Sequence, residues 1–464
     1  MKLVLFLIVV FSVNLKYCSS STLQQENALK PWAKNRWYWQ YKGEPILLLG
    51  ASNDDNLFQW PANLLVPHLD SMKLVGANYV RNTMSDRRDK GFEQYPFHKN
   101  SAGKFDLNQW NEKYWQQFEF FLKETAGRDI IVQIEVWDRF DYSRDNWTGH
   151  PYNPANNVNY TFKESGLANA YPDHPGHNKQ PFFFTTPNQR NNEVLLKYQQ
   201  EYVKKLLSYS LKYEHVLYCM DNETSGEEEW GAYWAEFIHV RAEEAGKVIC
   251  LTEMWDAWDL RSEQHKRTFD HRELYSYCDV SQNNHQRDQA HWDNFQWVKQ
   301  YLSNHPRPVN TVKTYGADGG THGDTNNGID SWWRHILGGA ASARFHRPPS
   351  GLGLSELSLA SVKAARAIED ICPFWMMIPD NSLLSEREEN EAYLTTRNGE
   401  VYVIFFPDTG EVGLDLTQHT TGFNVKWMNL RKGMWGPEQF VNGGEVITLT
   451  TPGEQEWVAV VRKN

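Results

Sequence analysis

Between residues 46 and 371, short apolar runs alternate with stretches whose apolar positions recur at helical spacing. The runs at 46–51, 78–82, 130–136, 215–220, 248–252, 279–283, 309–315 and 342–346 read as eight strands. The helical stretches between them are amphipathic. Trp110, Tyr114, Phe118 and Phe121 fall on one helical face, with Gly127 placed to end the helix. Trp230, Trp234, Phe237 and Val240 form a second such face ending near Gly246, and Thr224 with Glu227 fits a capping box at its start. A last helix is expected over 356–371. Strand–helix alternation implies parallel strands joined by crossover helices. Eight such units over this length predict an α/β fold closed as a (β/α)8 TIM barrel rather than an open sheet. Ahead of it, residues 36–41, the Lys42-Gly43-Glu44 turn and residues 45–50 read as a hairpin leading into the first strand.

Two regions break the alternation. Residues 139–192 are rich in Asn, Pro, His, Tyr and Phe and are too long for a turn. Coming after strand three, they are expected to hang over the barrel mouth and wall a cleft. From about residue 390 the pattern switches to short strands at 400–406, 423–428, 445–450 and 456–461. Asn398-Gly399, Asp408-Thr409-Gly410 and Asn442-Gly443-Gly444 punctuate them, as expected of an antiparallel β-sandwich. The expected organisation is an export segment over 1–21, a barrel over 22–371, a connector over 372–384 and a small β-domain over 385–464.

The export segment is read from basic Met1-Lys2, an apolar run over 3–13 too short to span a bilayer, and polar Ser19-Ser20-Ser21. A secreted or periplasmic protein is expected, with no transmembrane span. Cys18 is a candidate lipid-attachment cysteine, although Lys16-Tyr17 is a poor approach to such a site. The remaining cysteines, Cys219, Cys250, Cys278 and Cys372, have neither zinc-site nor disulfide-framework spacing and read as buried free thiols.

Charge narrows the partners. Lys and Arg number 47 against 58 Asp and Glu, a net charge of -11, so no basic footprint for a nucleic acid dominates. The 20 Trp and 22 Tyr point elsewhere. Aromatic faces stack on the C–H faces of sugar rings while polar edges meet hydroxyls. A polysaccharide or oligosaccharide is the expected partner.

In a barrel of this kind, residues just after each strand line the functional end. Asp221-Asn222-Glu223-Thr224 closes strand four. Glu227, Glu228 and Glu229 already supply the acids a helix start favours, which leaves Glu223 as a candidate catalytic carboxyl. Glycosidic cleavage needs a proton donor held within reach of a second carboxylate. Glu253, in Thr252-Glu253-Met254-Trp255-Asp256 after strand five, is the first candidate for that second group. Glu135, Trp137 and Asp138 close strand three in a similar way. Some of these acids could instead pair with Arg81 or Lys313. Asp54 and Asp55 after strand one, Arg81 on strand two, Asn284 and His285 after strand six, Tyr315 after strand seven, and His346 and Arg347 after strand eight complete a candidate binding set with Asn222 and Trp255. Arg81 suits bidentate orientation of a carboxylate. The Gly-rich segment 316–328 matches neither a calcium nor a phosphate loop and reads as a rim loop. His150, His174 and His177 lack a ligand motif. No cofactor and no metal are expected.

The hairpin into Leu48-Leu49-Gly50, Asn78-Tyr79-Val80-Arg81 and Asn222-Glu223 resemble the clan of barrel glycosidases that keeps its acid/base Glu at the end of strand four. Val425-Lys426-Trp427-Met428-Asn429 and Gly453-Glu454-Gln455-Glu456-Trp457 are similar to a small β-domain, labelled collagen-binding, that accompanies barrels of glycoside hydrolase family 140 and its relatives. The resemblance implies a glycoside hydrolase with Glu223 as acid/base, Asn222 on a sugar hydroxyl and Arg81 as orienting residue. It implies a small domain that packs on the barrel. It also implies a nucleophilic Glu ending strand seven, where this chain has Val312-Lys313-Thr314-Tyr315-Gly316 and no Glu. That departure leaves three readings. The first is a glycosidase with another second group. The second is a polysaccharide lyase using Tyr315, Lys313, His285 and Arg347. The third is a glycan-binding barrel without turnover.

Overall fold

The computed structural model describes residues 27–175, 179–317 and 323–464. The expectations for the export segment, Cys18 and His177 lie outside the described residues. Eight strands are each followed by a helix. They are β1 Leu48–Ala51, β2 Tyr79–Thr83, β3 Ile131–Asp138, β4 Val216–Asn222, β5 Leu251–Thr252, β6 Cys278–Asp279, β7 Val309–Asn310 and β8 Ser342–Phe345. The helices are α1 Ala62–Leu74, α2 Glu112–Ala126, α3 Glu193–Ser210, α4 Glu228–Glu244, α5 Glu263–Phe269, α6 Asp288–Tyr301, α7 Thr325–Leu337 and α8 Glu356–Glu369. The parallel ladder runs β5-β4-β3-β2-β1-β8, with β6-β7 as a separate parallel pair. Tyr277 N donates to Leu251 O at 3.4 Å and Ala341 N to Val309 O at 2.8 Å, so the pair bridges the gap and the barrel closes. The strands are buried on both faces: Val80, Val132 and Met220 pack outward under the helices, while Tyr79, Ile131 and Leu217 belong to the interior cluster.

The N-terminal hairpin, Trp39–Tyr41 against Glu44–Ile46, does more than lead into β1. Trp39 is fully buried, donates its indole N–H to Asn310 Oδ1 at 2.9 Å and meets Tyr277 edge-on at 5.2 Å between ring centres. With Tyr41 and Leu29 it joins the interior cluster and closes the barrel floor. The functional end is therefore the opposite, C-terminal end.

Several local expectations are corrected. Strand six is Cys278–Asp279 only, and residues Ser281–His285 form a 3-10 turn because Asp279 Oδ1 accepts from Ser281 N and bends the chain. Trp110 ends a strand, Phe105–Trp110, and α2 starts after it with Asn111 as cap. That strand pairs with Phe97–Lys99 in a hairpin the sequence pattern does not reveal. Thr224 forms no capping box: its hydroxyl accepts from Gly226 N and its backbone bridges to Trp255. Val240 lies at the solvent edge of α4. The segment 139–192 is not irregular throughout. It carries Arg139–Tyr142, Arg144–Gly149, Phe162–Ser165 and Pro181–Phe184 as short helical turns, and buries Tyr142, Trp147, Tyr152, Phe182 and Phe183 in its own aromatic core. His150 belongs to that core, stacked on Trp147 and Tyr152. The end of the Gly-rich segment 316–328 is helical, because Asp324 caps α7. The four remaining cysteines are free and buried.

The C-terminal region is an antiparallel sandwich. Its larger sheet includes Tyr393–Arg397, Val401–Phe406, Trp457–Lys463, Phe423–Asn429 and Met434–Val441. Leu384–Ser385, Glu411–Asp415 and Val446–Thr450 form the smaller one. The period of two in Val401–Phe406 serves two cores. Tyr402, Ile404 and Phe406 face the small sheet, while Val403 and Phe405 face the barrel, where Phe405 stacks near Trp333 of α7 at 6.3 Å. No described helix is long and apolar enough to cross a membrane.

Candidate active site

The mouth is organised by Arg81 on β2. Its guanidinium donates to Glu135 Oε1 at 2.6 Å and to Asn222 Oδ1 at 2.7 Å, and pairs with Asp55 Oδ2 at 2.8 Å. Register makes this possible: Arg81 lies one pair below Asn82–Ile134 on the β2–β3 ladder, and β4 continues the row. Asp55 is a hub, also reached by Arg344 at 3.1 Å, Arg347 at 2.7 Å and His346 at 3.7 Å. Burial would raise its pKa, but Arg81, His346, Arg344 and Arg347 together hold it well below the usual carboxylate range. Glu135 goes the other way. Burial raises its carboxyl more than Arg81 lowers it, and its Oε2 is buried without a partner. Asp54 turns aside to Trp60 Nε1 at 2.8 Å.

Asn222 and Glu223 leave β4 at a sharp bend. Glu223 has φ of +50°, a left-handed conformation that a residue with a Cβ adopts only when its surroundings hold it there. Three groups hold its Oε1: Lys313 Nζ at 2.6 Å, Gln282 Nε2 at 2.9 Å and Tyr315 OH at 3.3 Å. Lys313 also donates to Asn222 Oδ1 at 2.6 Å. Asn222 Nδ2 in turn donates to Asp138 Oδ1 at 3.2 Å. Burial would push the Glu223 carboxyl up, but the Lys313 ammonium, with Arg81 and Gln282, pulls it down to about 2. It is a carboxylate at neutral pH. The side chain remains 15% exposed, against 2% for Lys313, so Glu223 is the member of the pair that a ligand can reach.

The rim beside Glu223 is aromatic. Tyr315 meets His285 edge-on at 5.6 Å and His346 at 5.0 Å. His285 lies flat on Trp258, with ring centres 4.2 Å apart and planes 15° apart. Asn284 is buried, and its side-chain amide has no hydrogen-bond partner.

The structure thus brings Asp55, Arg81, Glu135, Asp138, Asn222, Glu223, Tyr315, His346 and Arg347 into one connected network, with His285 at its edge. It does not bring Glu253, Trp137 or Trp255 there. Glu253 Oε1 accepts from Asp221 N and Met254 N, both at 2.9 Å, and a Cβ on Gly231 of α4 would come within 2.5 Å of its Oε2. Its carboxyl is therefore pressed between barrel and helix. Trp137 packs on Trp234 at 5.2 Å and Phe182 at 5.7 Å. Trp255 donates to Thr268 Oγ1 of α5 at 2.8 Å. Gln282, Arg344 and Trp258 join the site without a signal in the sequence. Lys313 has one, being a lysine in the segment after β7, where the resembled clan has a carboxylate.

No sequence-family model matches the chain, and no curated protein matches it in sequence. Solved structures match its fold. A glycoside hydrolase family 5 protein from Bacteroides vulgatus is similar at 15% identity, over 95% of this chain and 94% of that one, with a TM-score of 0.63. Another structure, described as a glycoside hydrolase, is similar at 12% identity over 95% and 98%, with a TM-score of 0.64. At these identities the likeness is one of fold, and it spans barrel and sandwich together.

Proposed function

We propose that the protein is an exported glycoside hydrolase that cleaves a plant or algal polysaccharide or oligosaccharide, with Glu223 as the reacting carboxylate. The observation that carries this reading is the Arg81–Asn222–Glu223 arrangement at the mouth. An arginine bound by two buried acids orients an asparagine, and the next residue is bent outward so that its carboxylate meets solvent. The fold shared with the glycoside hydrolase structures supports it. Glu223 enters as an anion, the form that serves a base or a nucleophile. Donation of a proton by Glu223 requires Lys313 to be drawn away, for example by a sugar hydroxyl that takes over its ammonium. Loss of that cation lets burial raise the carboxyl's pKa.

The test is incubation of the mature protein and its Glu223→Gln variant with plant and algal glycans. New reducing ends that vanish in the variant support hydrolysis at Glu223. Equal turnover by the variant removes Glu223 from the chemistry. An unsaturated product from a uronic-acid glycan identifies a lyase instead.

Lys313 favours a second reading. It stands where the clan's nucleophile would end strand seven, and its ammonium neutralises the Glu223 carboxylate at 2.6 Å. A barrel that has exchanged its nucleophile for a cation suits glycan binding without turnover. Binding of a glycan with no product from any wild-type incubation supports that second reading.

A further inference from the structure

Among the described residues, Trp258 is the one tryptophan that stands exposed, at 60%. A single exposed apolar residue needs no explanation by itself. Trp258 differs because it is held rigidly and lies beside the mouth. It comes after β5 in a stretch tied to β4, where Asp256 N donates to Thr224 O at 2.9 Å. Its carbonyl accepts from Gln286 Nε2 at 3.1 Å. One face of the indole is covered by His285 at 4.2 Å, so the exposed area lies on the opposite face and the ring edge. From Trp258 the ring contacts run through His285 to Tyr315, whose hydroxyl reaches Glu223 at 3.3 Å. The open indole face therefore stands two ring contacts from the carboxylate, about the reach of one or two sugar units.

We propose that Trp258 is a stacking platform for a sugar ring adjacent to the one at Glu223, and that the glycan is equatorially linked. Such a chain presents flat C–H faces that match an open indole. A preformed stack keeps the indole flat and loses little freedom on binding. This inference rests on the carbohydrate reading of the mouth.

The test titrates wild type, Trp258→Ala and Trp258→Phe with cellohexaose, mannohexaose and xylohexaose by calorimetry. N-bromosuccinimide oxidation, read by peptide mass, then tracks Trp258 itself. The expected result is binding of at least one hexaose by wild type. Affinity should fall about tenfold in the alanine variant, the size of one aromatic stacking contact, and be largely kept in the phenylalanine variant. Saturating hexaose should protect Trp258 from oxidation. Equal affinity in the alanine variant, or unprotected oxidation at saturation, overturns the platform and leaves the reading of Glu223 standing. Failure of wild type to bind any of the three overturns the platform as well. The reading of the mouth falls only if product is also missing from the glycan incubations.

Discussion

The two halves of the barrel mouth are built differently. On the β1–β4 side, β3 and β4 run eight and seven residues, and their acids and amides are locked onto Arg81 by short, fully buried bonds. On the other side, β5, β6 and β7 are two residues each, and the mouth is lined from the connections beyond them by Trp258, Gln282, His285, Lys313 and Tyr315. The first half is a rigid electrostatic frame. The second half is made of connections beyond short strands, where side chains can be exchanged without disturbing a ladder. That is where this chain departs from the clan it resembles. The frame carries the residues that resemble that clan, while Lys313, the departure from it, lies on the loop-built side.

Removing Arg81 should show the largest effect. Arg81→Met leaves Asp55 and Glu135 buried beside an apolar chain, a loss of about 3–5 kcal/mol, read as a large drop in the denaturant midpoint. Lys313→Met should cost less, about 1–2 kcal/mol, because Glu223 keeps Gln282 and Tyr315 and has access to water. If the two substitutions cost the same, the contrast between frame and loops fails. Lys313→Glu sharpens it further. Two facing carboxylates would raise the pKa of Glu223, and product appearing only in this variant would identify the wild-type barrel as a binder.

Acid sensitivity gives a pH-resolved signal. The Glu223 carboxyl, held near 2 in the folded protein, contributes stability above its unfolded value near 4.5, and that contribution is lost as pH falls toward about 2. The stability difference between wild type and Glu223→Gln should therefore shrink across that window in pH-dependent denaturation. Asp141 has the opposite sign. Burial and the neighbouring Asp138 push it up to about 8, so its contribution fades as pH rises from about 4 through 8. Asp141→Asn should flatten the fall in Tm over that range.

The eight-unit barrel is legible in the sequence because each buried strand is an apolar run and each helix has one apolar face. The Phe97–Lys99 hairpin is not, since its strands are short and half polar. Arg81, Asn222 and Glu223 are legible as rim residues because strand ends place them there. Glu253 is not separable from Glu223 by the same logic. Both come after strands, and only the turn beyond each decides which carboxyl faces the mouth. At Glu223 that turn is a left-handed backbone, which sequence spacing does not encode. The aromatic load makes Trp137 and Trp255 look like sugar contacts, but both are buried away from the mouth, Trp137 against Trp234 and Phe182 and Trp255 on Thr268.

The stacking of Phe405 near Trp333 has a consequence for how the chain can be cut. One continuous apolar cluster runs from Leu65 and Leu69 of α1 through Trp332 and Trp333 to Tyr393, Phe405 and Val460 of the sandwich. The two regions should melt in a single calorimetric transition. A barrel truncated before the sandwich would present that aromatic seam to water, so the small domain is not a detachable module but the last layer of the barrel's own interior.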